Sequence, residues 1–181
     1  AATRRNLEID QSLSGQPQHT LAGLLDRTAT AMGSRLLLRW LNRPLRDHAA
    51  VAARHDAVAE LSTQRTYAAL HDALAGIGDV ERILARVALK SARPRDLAAL
   101  RDALGALPTL QDRLAPLPTP LLVELATQIG THPEVHHLLA TAVVDNPPVV
   151  IRDGGVLAPG YDAELDELRN LSQNADRFLL D

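Results

Sequence analysis

Apolar residues recur every three to four positions through most of this chain, the period of an amphipathic helix. Met32, Leu36, Leu37, Trp40 and Leu41 form one stripe, on a helix predicted from about Ala31 to Arg43 and stopped ahead of Pro44. Thr20 is placed to cap a short helix carrying Leu21, Leu24 and Leu25, and Asp47 a longer one with Val51, Val58 and Leu61 inward. Tyr67, Leu70, Leu74 and Ile77 continue the pattern until Gly76 and Gly78 end it. Asp79 then opens a helix with Val80, Ile83, Leu84 and Val87 on one side. Pro94 fits the first turn of the next helix, whose stripe is Leu97, Leu100, Leu104 and Leu107, and which Pro108 is expected to limit. Thr119-Pro120 and His132-Pro133 open two more, with Leu122, Leu125 and Ile129, then Val135, Leu138, Leu139 and Val143, facing inward.

Two segments depart from this period. Leu7 and Ile9 alternate with charged residues, which suits a short strand ahead of a turn at Ser14, Gly15 and Pro17. Residues 143–157, VVDNPPVVIRDGGVL, are β-branched, with Pro before and Asp-Gly-Gly inside. They predict a small β-hairpin, Val149–Arg152 against Val156–Ala158, turning at Asp153–Gly155 and packed on the helices, since two strands alone are marginal. Asp162 caps a final helix whose stripe, Leu165, Leu168, Leu171, Ala175, Phe178 and Leu179, is still in period at the last residues, so the natural chain is expected to continue. The fold class that follows is mainly α, a multi-helix core domain with one small hairpin. No internal repeat of solenoid length aligns.

Composition narrows this further. Hydrophobic residues are 46% of the 181, but aromatics only 2%, so the core has to be built from Leu, Ala, Val and Ile in thin, closely packed helices. There is no Cys, which excludes disulfides and thiolate metal sites. No apolar run is long enough to cross a membrane, and the first residues, AATRRNLEID, carry neither a secretory signal nor an initiator Met, as expected of a trimmed piece. The net charge of −3 hides an asymmetry: residues 1–101 hold 15 Lys and Arg against 10 Asp and Glu, and residues 102–181 hold 4 against 12. The front half could meet an anionic partner that the back half would repel.

No catalytic, cofactor or metal constellation emerges. Met32-Gly33-Ser34-Arg35 lacks the Lys-Ser/Thr ending of a phosphate loop. His132, His136 and His137 have a helical ligand spacing, but they lack the Glu placement of a zinc helix, and Pro133 puts His132 in the cap. Asp162, Glu164, Asp166 and Glu167 stand where a helix start favours acids. The basic ladders carry more. Arg35, Arg39 and Arg43 are spaced by four on one helix, and Arg82, Arg86 and Lys90 on another, a spacing that could follow a phosphate backbone. Asp47, Asp79, Glu81 and Asp96 lie close in sequence, however, and no aromatics are interleaved, which favours packing and solvation roles over DNA contact.

Four blocks, in order, carry a resemblance: AATRRNLEI, TLAGLLDRTATAMGSRLLLRWLNRPLRD, GDVERILARVALKSARPRDLAALR and DNPPVVIRDGGVLAPGYDAELDELR. Together they resemble the core, or lever, region of the MutS family of DNA mismatch repair ATPases along essentially the whole chain. The resemblance implies a connector that couples binding of mismatched DNA to ATP-driven conformational change, inside a homodimeric, cytoplasmic, bacterial protein. Residues 1–160 would be the helical core, and 161–181 the base of a lever helix rising to a DNA-gripping clamp domain. The clamp, connector and ATPase domains of the same chain, and DNA, would be its partners. ATP and Mg would bind the ATPase domain, so this portion is expected to be no enzyme and to hold no cofactor. Leu36, Trp40 and Leu41 are expected in the core, and Gly154, Gly155 and Tyr161 at the joint where the lever leaves the base. A freestanding helical protein-interaction domain, or a core touching DNA directly through its Arg ladders, are the alternatives.

Overall fold

The computed structural model describes residues 6–178, and these are dominated by α-helix. The helices are α1 (Leu21–Leu25), α2 (Ala31–Asn42), α3 (His48–Ser62), α4 (Thr66–Ala75), α5 (Val80–Ala88), α6 (Pro94–Leu114), α7 (Pro120–Gln128), α8 (Pro133–Ala142) and α9 (Ala163–Phe178). Their starts follow the local chemistry. The Thr20 side chain accepts from Gly23 N, Thr30 from Gly33 N, Asp47 from Ala49 N and Ala50 N, and Asp79 from Arg82 N. Pro opens α6, α7 and α8, where its missing N–H has no helical partner to lose.

The long helix α6 organises the rest, packing against α4, α5, α7 and α8, while α3 lies against α4 and α7. Its faces serve two apolar clusters. Ala103, Leu110 and Leu114 join Ala57, Leu70, Ile77, Leu117, Leu122 and Ala126. Leu100 and Leu104 join Ile83, Leu139, Ala142 and Val143. Val80 and Leu107 touch both, so α6 is a wall shared by two cores. The buried apolar residues are aliphatic throughout, with alanines at several of the closest positions, as the composition requires. Gly105 marks one such approach: a Cβ there would lie 3.1 Å from His136 Nε2 on α8.

Four expectations are corrected. Pro108 does not limit its helix: it lies on the exposed side, and α6 runs on to Leu114 because Leu110 and Leu114 beyond it pack into the first cluster. Leu7 and Ile9 form no strand: Glu8 takes φ 46°, and the segment folds over α1, with Leu21 N–H donating to Glu8 O and Ala22 N–H to Ile9 O. The hairpin Val149–Arg152 against Val156–Ala158 does not form either. Ile151–Asp153 is a 3-10 turn, and Leu157 pairs instead with Val143, in a single antiparallel bridge where α8 ends. The carbonyls of Val150 and Ile151 are taken inside that turn, by Asp153 N–H and Gly154 N–H, so the pairing falls on Val143 instead. Some stripe residues also turn outward. Val58, Tyr67, Leu84 and Leu138 are exposed, with Ala57 buried in place of Val58, while Leu70, Ile83 and Leu139 of the same stripes are buried as expected.

Candidate functional site

The two basic ladders have different fates at each rung. Arg35 of α2 is consumed by α5: its Nη1 and Nη2 donate to the two oxygens of Asp79 at 2.7 Å each, and Nη2 also to Glu81 at 2.6 Å. That guanidinium holds the Asp79 carboxyl down at about 2, with help from the backbone N–H of Arg82. Arg86 of α5 is consumed by α6, donating from Nε and Nη2 to Asp96 at 2.8 and 2.6 Å and lowering that carboxyl as well. Asp96 also accepts from Arg93 N–H and so caps its own helix. Arg82 is exposed, 3.4 Å from Asp79. Arg39, Arg43 and Lys90 are exposed, Lys90 at a left-handed φ of 53° just past the end of α5. The structure thus turns one rung of each predicted phosphate track, Arg35 and Arg86, into a tie between helices.

Leu36 and Trp40 are corrected as core residues. They are 41% and 43% exposed, and Leu41 is half-buried. The reason is how α2 meets the body. Met32 packs on the first cluster and Arg35 reaches α5, so contact comes through the N-terminal half of the helix. Trp40 is covered instead by a cation: Arg54 of α3 lies 3.7 Å from its ring centroid.

At the other end of the domain, Gly154 and Gly155 take φ 71° and 67°, a conformation L side chains rarely adopt, with open space where a Cβ would go. They do reverse the chain, as Asp-Gly-Gly suggests, but toward Val143. Tyr161 is exposed, and its N–H donates to Ala158 O. The tighter fastening comes from residues the sequence pattern did not single out. Asp166 accepts from Gly160 N–H at 2.6 Å and pairs with Arg169 at 3.0 Å. Arg169 also donates to Leu157 O at 3.0 Å, which ties α9 to the bridged segment before it. The signal was an Asp and an Arg three apart on a helix, which usually means only a surface pair. Beyond this point Leu168 and Leu171 of α9 are 57% and 65% exposed. Leu179 lies outside the described residues, as do the side chains of Ala175 and Phe178.

Other candidates do not assemble. His132 is the left-handed cap of α8, while His136 packs at Gly105. Among the described residues no group of three His, Asp or Glu is arranged to hold a metal ion, and no helix is long and apolar enough to cross a membrane. Of the four acids near the start of α9, Asp162 caps the helix and Asp166 holds the joint.

Among the described residues, α9 follows the helical body and is fastened at its base by the polar contacts of Asp166 and Arg169. A family model described as MutS domain III matches residues 2–179. The chain therefore belongs to the MutS domain III family and is the core-domain portion of a MutS-type mismatch repair protein.

Proposed function

We propose that this domain carries mechanical coupling in its parent protein, linking DNA engagement at one end to nucleotide state at the other, with α9 as the first stretch of a lever. The observation that supports this is the joint. α9 is held at its base by Asp166 and Arg169, and its following turns present Leu168 and Leu171 away from the described body. A helix of 16 residues is a stiff rod about 24 Å long, so a small tilt at its base becomes a displacement of several ångströms at its tip. Two ligands can be coupled through such an element when each favours a different packing of its base.

On this reading the parent is a homodimeric, cytoplasmic, bacterial mismatch-binding protein. ATP and Mg act in its separate ATPase domain, the clamp grips DNA, and this portion performs no chemical step. Direct DNA backbone contact is the second reading, and Arg39, Arg43, Arg82 and Lys90 are the ladder cations left exposed for it. The test is Arg169→Met in the full-length protein, read as mismatch affinity, DNA-stimulated ATPase and ATP-driven release of DNA. Release should slow at least about fivefold with mismatch affinity kept. Unaltered release and ATPase would remove the lever role.

A further inference from the structure

The bridge between Val143 and Leu157 leaves two open edges. It is flanked by Val144 N–H donating to Val156 O at 3.1 Å and Ala158 N–H donating to Ala142 O at 2.9 Å. That pattern makes the bridged residues a non-hydrogen-bonded pair, with their own N–H and C=O groups pointing away from each other. So narrow a ribbon has an unpaired carbonyl on each side. From α6, Arg101 donates through Nη1 to Val143 O at 3.3 Å, Val144 O at 3.4 Å and Asp145 Oδ1 at 3.3 Å. From α9, Arg169 donates to Leu157 O. Arg101 is the more covered of the two, 12% exposed against 29%.

We infer that Arg101 is a positioning residue, which fixes helix α9 to the central helix α6 by gripping the far edge of the ribbon that Arg169 grips from the near edge. The angle of α9 is then set by two guanidinium-to-carbonyl attachments in series, with the Val143–Leu157 ribbon between them. Apolar packing contributes less there, because Leu168 and Leu171 are exposed while Leu165 is only partly covered. Arg suits the role: Nη1 shares its two N–H groups among three acceptors while Nε holds Asp102 at 2.9 Å, and a Lys ammonium has no second nitrogen for Asp102. Arg95 reinforces the same side, donating to Pro147 O at 3.4 Å. The inference rests on the lever reading only for its consequence, since the attachment itself stands on the hydrogen bonds.

The test uses the full-length protein with spin labels at Thr109→Cys on α6 and Asn170→Cys on α9, both at exposed positions. Arg101→Met should broaden the α6–α9 distance distribution about twofold and speed exchange of the Val144 and Ala158 amides about tenfold. Arg86→Met, which breaks an ion pair between α5 and α6 away from the ribbon, should leave both unchanged. Should Arg101→Met fail to fold, Arg101→Lys is read by the same two measurements. A distribution as narrow as the parent's in the folded Arg101 variant, or equal broadening by Arg86→Met, would overturn the positioning role. Broadening with ATP-driven DNA release intact would support the attachment and sink the lever reading alone.

Discussion

Ala103 offers the sharpest check on the packing. It is 1% exposed, on the face of α6 that meets the first cluster, and it is the most completely covered apolar residue described. Ala103→Leu puts an isobutyl group where a methyl sits. Burying the added carbons would gain about 2 kcal/mol if space existed. Interiors packed at native density leave no such space, and forced rotamers and backbone shifts cost about 1–3 kcal/mol net. Relief is blocked on both sides: Leu70, Leu110 and Leu114 belong to the same cluster, and pushing α6 away drives Leu100 and Leu104 into the second. A net loss of about 2 kcal/mol is expected, which for a chain of this size lowers Tm by about 4–8 °C. Calorimetric unfolding of the chain measures it, with Ala68→Leu on the exposed side of α4 as control, expected within about 0.5 kcal/mol. A Tm for Ala103→Leu equal to the control's would mean that α6 is not pressed between two cores.

Other consequences follow from single groups. Asp79 titrates at about 2 in the fold against 3.8 for an ordinary Asp, so its stabilisation is complete above pH 3.8 and lost as pH falls toward 2. Asp79→Asn should therefore flatten the acid limb of a stability-versus-pH curve in that window, and an unchanged limb would place the acid sensitivity elsewhere. Pro108→Ala restores an N–H inside α6 at an exposed position and should stabilise by about 1 kcal/mol, read as a rise in Tm. Gly155→Val forces a β-branched residue to φ 67° without a clash, costing about 1–2 kcal/mol, and in the full-length protein it should weaken the link between ATP and DNA release. Arg39→Ala with Arg43→Ala should leave the salt dependence of DNA binding by the full-length protein unaltered. A drop in the log–log slope of about 2 would instead make that ladder a phosphate-contact surface.

Sequence alone determined where helices start, because caps are local. Thr20, Asp47, Asp79, Pro94, Pro120 and Pro133 act on backbone groups within a turn of themselves, and each opens the helix that its type predicts. It also determined that the core is aliphatic, because the chain holds too few aromatics for another kind. The family was legible for a related reason, since ordered blocks of residues survive in the string whatever their contacts. Tertiary structure decided everything that depends on a partner distant in the chain. A hydrophobic stripe says which side of a helix is apolar but not whether another helix arrives to cover it, so Leu139 is buried while Leu36, Trp40 and Val58 are left out. An Arg ladder gives charge spacing but not the acids that face it, so Arg35 and Arg86 became ties to Asp79 and Asp96. The hairpin moved for the same reason: Asp-Gly-Gly fixed a turn, but the strand it turns toward was chosen by the end of α8, and that choice is what placed Arg101 and Arg169 on opposite edges of one ribbon.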